Sequence, residues 1–104
     1  MNQTEFIARL AELYALNVEI SRKKNADYGA ENDPFLNFRG IEVLTKGRIS
    51  TADGILVRIS DKVQRIANLI DGTEAQVLDE SLLDSLSDCA NYLMILRMWL
   101  EEKK

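Results

Sequence analysis

Residues 80–100 read ESLLDSLSDCANYLMILRMWL, and the placing of polar and apolar side chains along them decides the fold. Glu80, Asp84, Asp88 and Asn91 are separated by four, four and three positions, so on an α-helix they form one stripe. Leu82, Leu83, Leu86 and Ala90 occupy the adjoining face, which predicts an amphipathic helix with carboxylates beside its apolar stripe. From Tyr92 the pattern changes. Tyr92, Leu93, Met94, Ile95, Leu96, Met98, Trp99 and Leu100 surround the axis, and only Arg97 interrupts them. A helix that is apolar all round is normally buried on all sides, which a small helical monomer hardly provides. The expectation is a homo-oligomer, at least a dimer, with Trp99 near the interface.

Working outward from this helix, three others are predicted. Between Thr4 and about Lys24, Phe6, Ile7, Leu10, Leu13, Tyr14, Val18 and Ile20 recur at helical spacing, with Thr4 placed to help start the helix. Asn17 sits within their face, and Ser21 and Lys24 continue its stripe. The segment 25–32, NADYGAEN, carries turn formers and a glycine, so a bend is expected there. Asp33-Pro34 reads as an N-cap followed by a first helical proline. The short helix it opens holds Phe35, Leu36, Phe38, Ile41 and Leu44 and ends near Lys46-Gly47. A further helix runs from about Ala52 to Ile70 on an apolar face of Ile55, Ile59, Val63, Ile66 and Ile70, with Asp71-Gly72 as its stop. The last helix starts near Val77. No strand-like alternation, repeat or low-complexity tract interrupts the pattern. The reading is all-α: a four-helix, antiparallel, bundle-like single domain over residues 1–104 that oligomerises.

Composition narrows the function. A net charge of −4 and an isoelectric point near 4.8 argue against a protein that coats DNA or RNA, which requires clustered Lys and Arg. With no histidine and the single Cys89, there is no imidazole base, no multi-cysteine zinc site and no intramolecular disulfide. Cys89 beside Ala90 is most simply a packing residue. Hydrolytic chemistry would rest on carboxylates, a lysine or a metal. The N-terminus lacks the basic-then-apolar pattern of a signal peptide, and the most apolar run is too short to span a bilayer. The expected location is the cytoplasm, with no membrane contact.

The acidic stripe poses the chemical question. Like charges four apart cost an isolated helix about 0.2–0.5 kcal/mol per pair, and no basic residue follows before Arg97. Solvent, basic residues of a neighbouring helix, or a divalent cation would each answer it; Mg²⁺ takes carboxylate oxygens and keeps positions for phosphate ligands. Glu80, Asp84 and Asp88 are therefore candidate metal ligands. The third helix offers a basic stripe of the same pitch, Arg58, Lys62 and Arg65, so direct pairing of the two stripes stands beside the metal reading. Asp61 lies roughly opposite that helix's apolar face. Asn17 requires a partner, from the protein or from a ligand, to avoid a cost of about 1–3 kcal/mol if buried. Tyr28 beside Gly29 either anchors a loop or stacks on a base.

Four groups carry a resemblance: Lys24-x-x-Asp27-Tyr28-Gly29, Asp33-Pro34-Phe35-x-Asn37-Phe38, Arg58-x-x-Asp61-Lys62-x-x-Arg65, and Glu80-x-x-x-Asp84-x-x-x-Asp88-x-x-Asn91-Tyr92. Their ordered combination resembles the small helical nucleotide-modification-associated domain common in phage genomes. More distantly it is similar to the MazG-like all-α nucleoside triphosphate pyrophosphohydrolases, whose acidic helices hold Mg²⁺ on a triphosphate. The sequence departs from the latter in lacking a Glu-Glu-x-x-Glu motif on an earlier helix and in spacing Glu80 and Asp84 by four.

The resemblance implies a Mg²⁺-dependent pyrophosphohydrolase-like protein acting on (deoxy)nucleotides, with Mn²⁺ as a substitute, in the host cytoplasm if phage-encoded. Glu80, Asp84 and Asp88 would hold metal, and Glu80, Asp84 and Lys62 would form the catalytic set. Lys24 and Lys62 or Arg65 would contact phosphate oxygens, Asn17 and Asn91 would orient the base or ribose with Tyr28 covering it, and Asp27 and Arg58 complete the substrate-binding set. The alternative is a non-catalytic protein that captures a nucleotide or nucleotide-derived signal in an oligomeric pocket. A third reading is a structural helical oligomer whose stripes pair only with each other.

Overall fold

The computed structural model describes residues 1–28, 33–72 and 80–102, except the side chains of 26–28. Its described residues form four helices: α1 (Gln3–Tyr28), α2 (Leu36–Leu44), α3 (Thr51–Gly72) and α4 (Glu80–Glu102). The protein is all-α. The chain divides into two compact units, Met1–Pro34 and Phe35–Lys104. No helix among the described residues is long and apolar enough to cross a membrane.

The first unit is built on α1. Its start is set by Asn2, not by Thr4: Asn2 Oδ1 accepts the backbone N–H of Glu5 at 2.8 Å, satisfying one of the donors a helix start leaves open. The helix also runs four residues beyond Lys24, to Tyr28. Asn and Asp are weak helix formers, each costing well under about 1 kcal/mol relative to alanine; neither breaks a helix, and the first glycine comes only at position 29. Arg9–Glu12 and Arg22–Glu19 pair along the surface at 3.0 and 2.6 Å. Phe6, Ile7, Leu10, Leu13, Tyr14 and Val18 are exposed, whereas Asn17, Ile20 and Ser21 are half-buried.

The second unit holds the core. Ile55 and Ile59 of α3 and Trp99 of α4 are buried together, with Phe35, Phe38, Ala52, Cys89, Tyr92, Ile95 and Leu96 packed around them. Further along the seam Lys62 meets Asp88 and Arg65 meets Ser85, so α3 and α4 run antiparallel. Cys89 is a packing residue, as its sequence context predicts. Trp99, in contrast, belongs to the unit's own core: it is 8% exposed, and its ring meets Phe35 edge-on at 5.3 Å.

α2 begins beside that contact. Asp33 was expected to cap this helix with Pro34 at its first position, but the cap position falls to Phe35, which makes no side-chain cap bond. The Phe35 carbonyl accepts from the N–H groups of Phe38 and Arg39 at 2.9 and 3.0 Å. Beside that start the Phe35 ring packs edge-on against Trp99. α2 ends in a tight turn with Lys46 and Gly47 at φ +55° and +83°, where the Gly47 N–H reaches back to the Glu42 carbonyl at 2.8 Å. Glycine tolerates that backbone without strain.

Two groups then start α3. Ser50 Oγ accepts the N–H of Asp53 at 3.0 Å, and Glu42 Oε1 accepts the N–H of Thr51 at 3.1 Å. Three residues on, Gly54 lets α2 approach: a Cβ there would lie 2.5 Å from Ile41 Cγ2. Of the apolar face expected for α3, Ile55 and Ile59 are buried and Ile66 is half-buried, while Val63 and Ile70 are exposed. α4 is described from Glu80; its expected start near Val77 lies outside the described residues.

Candidate functional site

The antiparallel packing of α3 on α4 brings the basic stripe of one helix to the polar side of the other. At its centre Lys62 Nζ lies 3.2 Å from Asp88 Oδ2, with the two side chains only 30% and 19% exposed. A turn further along α3, Arg65 donates from Nε to Ser85 Oγ at 3.1 Å and from Nη2 to Ser81 Oγ at 2.8 Å. Ser85 is buried and donates in turn to the Ser81 carbonyl at 2.8 Å. On the other side of Lys62, the Arg58 guanidinium sits 4.9 Å above the Phe38 ring, a cation–π contact. Phe38 meets Tyr92 edge-on at 6.2 Å.

The seam therefore has a graded character. Its apolar end is Ile55, Ile59 and Trp99; its polar end is Lys62, Arg65, Ser81, Ser85 and Asp88. Arg58, Phe38 and Tyr92 mark the transition.

Only one residue of the acidic stripe faces α3. Residues 81, 85, 88 and 92 follow the helical repeat of a seam, with spacings of four, three and four; each residue step turns the helix by about 100°. Glu80 and Asp84 precede Ser81 and Ser85 by one position, so they rotate away from the seam and are exposed. The expected pairing of complete stripes is thus realised at Asp88 alone. Among the described residues, no group of three or more Asp, Glu, Cys or His side chains is gathered as a metal cage.

The remaining candidate residues are distributed as follows. Asn91 is half-buried on α4, and Asp61 is exposed on α3. Asp61, Gln64, Arg65, Asn68 and Leu69 line an open depression of about 400 Å³. Asn17, half-buried, and Lys24, exposed, belong to α1 in the other unit. The side chains of Asp27 and Tyr28 lie outside the described residues. Sequence reasoning missed Ser81 and Ser85, the two acceptors of Arg65. The signal was available in their four-residue spacing ahead of Asp88, but serine carries no charge to draw attention to it.

What this arrangement can do is limited by its chemistry. It offers two cations, Lys62 and Arg65, held near the surface by polar partners, and two solvated carboxylates, Glu80 and Asp84, one turn apart on α4. The chain matches no family model, no curated protein and no solved structure.

Proposed function

We propose that this protein handles nucleotides at the polar end of the α3/α4 seam, as a Mg²⁺-dependent nucleoside triphosphate pyrophosphohydrolase-like protein. The observation that carries the reading is the half-buried Lys62–Asp88 pair with Arg65 beside it. Removing charges from water is expensive, and a buried ion pair is often no more stabilising than apolar packing of the same volume. A seam needed only to join two helices would be served at least as well by the leucines and isoleucines found elsewhere in the unit. The grouped cations and carboxylates make better sense as a surface for a charged ligand.

A metal fits the two exposed carboxylates. Mg²⁺ commonly takes one or two carboxylates, with waters and substrate phosphates completing its shell. Glu80 and Asp84, four residues apart on α4, answer that description, whereas Asp88 is engaged by Lys62. Bound there, Mg²⁺ would neutralise phosphate charge and supply an activated water. Lys62 would act as a point charge toward phosphate oxygens, and Arg65, fixed by its two serines, as a planar donor. Asn91 would orient the sugar or base from the same helix.

A second reading shares the same geometry. Arg58, Lys62 and Arg65 each already have a partner within the chain: Phe38, Asp88, and the serines Ser81 and Ser85. This favours capture without turnover, or a purely structural seam. Incubation with a panel of nucleoside triphosphates and Mg²⁺ separates the readings. Pyrophosphate release by the wild type, lost in Asp84→Asn, supports hydrolysis. Nucleotide carried through purification without turnover, identified by mass spectrometry, supports capture. Neither product nor ligand leaves the structural seam.

A further inference from the structure

Arg58 and Arg65 take neutral partners although a carboxylate stands close by. Asp61 comes three residues after Arg58 and four before Arg65, the spacings at which a helix pairs opposite charges. Arg9, Arg22 and Arg97 each pair with a glutamate three or four residues away on their own helices. Arg58 and Arg65 do not. The Arg58 guanidinium lies 4.9 Å above the Phe38 ring, and Arg65 reaches across the seam to Ser85 and Ser81, while Asp61 is exposed and makes no ion pair among the described residues. Both arginines are thus held in place without their charge being neutralised. Between them Lys62 is neutralised, by Asp88 at 3.2 Å.

The stripe therefore reads cation, internal ion pair, cation. From Arg58 to Arg65 it rises by about 10 Å at 1.5 Å per residue. One guanidinium is fixed at Phe38 and the other at the two serines, so a single phosphate does not meet both, whereas a chain of phosphates does. A phosphate that approaches Lys62 meets the Asp88 carboxylate first, and the two negative charges exclude each other from one ammonium group.

We propose that Asp88 is an internal stand-in for phosphate. It holds Lys62 until the middle phosphate of a polyphosphate chain takes that point charge, with Arg58 and Arg65 meeting the phosphates on either side. Asp88, whose side chain is 19% exposed and so already reaches the surface, then turns to solvent. This rests on the nucleotide reading of the seam and adds a selection to it. A triphosphate gains both arginines in the event that displaces Asp88; a single phosphate faces the same carboxylate without that gain, and the site discriminates against it. The net charge of −4 acts mostly from a distance, where salt screens it beyond about 8 Å. Asp61, the solvated carboxylate next in sequence, is rotated from Lys62 by about 100° around α3.

Calorimetric titration of inorganic tripolyphosphate and of orthophosphate, each at one fixed Mg²⁺ concentration, into the wild type and into Asp88→Asn tests the proposal. Asparagine keeps the size of the side chain and removes its charge. The wild type is expected to bind tripolyphosphate, and orthophosphate at least tenfold more weakly. Asp88→Asn should bind tripolyphosphate at least threefold more tightly than the wild type does. A readout that needs no variant is the carboxyl carbon resonance of Asp88 in the wild type, which should move on saturation with tripolyphosphate. Equal or weaker binding by a folded Asp88→Asn, a carboxyl resonance that stays in place at saturation, or orthophosphate bound as tightly as tripolyphosphate overturns the stand-in and leaves the nucleotide reading intact. A wild type that binds neither tripolyphosphate nor any nucleoside triphosphate overturns both.

Discussion

At Gly54 the absence of a side chain lets α2 and α3 approach. A methyl group there would meet Ile41 Cγ2 at 2.5 Å, and Ile41 must move for it to fit. Gly54→Ala should therefore destabilise the protein by about 1–3 kcal/mol through overpacking, despite alanine's better helix propensity; urea denaturation would measure it. The Lys62–Asp88 pair is the other decisive pair of residues. Lys62→Ala leaves Asp88 half-buried beside an empty position. Its expected cost is about 1–2 kcal/mol, between the values for surface and buried pairs. Replacing both partners by Met and Leu should restore most of that loss, and thermal melts of the single and double variants check it. Glu19 is a minor case with a definite sign. A hydrogen bond from Arg22 holds its carboxyl below the usual range. The stabilisation is present above the ordinary carboxylate pKa and fades as pH falls through the lowered value.

At the scale of elements, the helices were legible in the sequence because their apolar residues repeat at three and four over long stretches. Their ends were less so. Asn2 caps α1 through a local hydrogen bond, whereas the cap position of α2 falls two residues after Asp33, at Phe35, whose ring meets a tryptophan 64 positions away in the sequence. Periodicity reports the face of a helix, but not the residue at which it starts. The same limit applied to the site. The meeting of α3's cations with α4's polar side was readable from matching pitch. Which residues of α4 face the seam depended on a rotation of one position, which exchanged Glu80 and Asp84 for Ser81 and Ser85. Caps remain testable one at a time: Ser50→Ala removes the acceptor of the Asp53 N–H and should cost about 1 kcal/mol, read as a lower Tm.

For the whole molecule, the buried apolar side chains among the described residues are Ile55, Ile59, Leu82 and Trp99. So small a core gives each member unusual weight against a typical total stability of about 5–15 kcal/mol. Trp99→Ala, worth about 3–5 kcal/mol in a packed core, should leave the second unit largely unfolded at 37 °C by circular dichroism. At the all-round apolar end of α4, Leu93, Met94, Met98 and Leu100 are exposed while Trp99 is buried. Trp99, expected near an interface, packs on Phe35 within the unit instead. The apolar cluster of Ile55, Ile59 and Trp99 joins α3 to the C-terminal half of α4, with Phe35 and Phe38 packed on it, while the polar end of the seam holds Lys62, Arg65 and Asp88. The proposed nucleotide site lies at that polar end. Calorimetric titration of a nonhydrolysable nucleoside triphosphate with Mg²⁺ into the wild type and into the Lys62→Met/Asp88→Leu double variant tests it most directly. The expected result is saturable binding by the wild type and at least tenfold weaker binding by a double variant whose Tm stays close to the wild type's. No binding by the wild type, or equal binding by both, would contradict it.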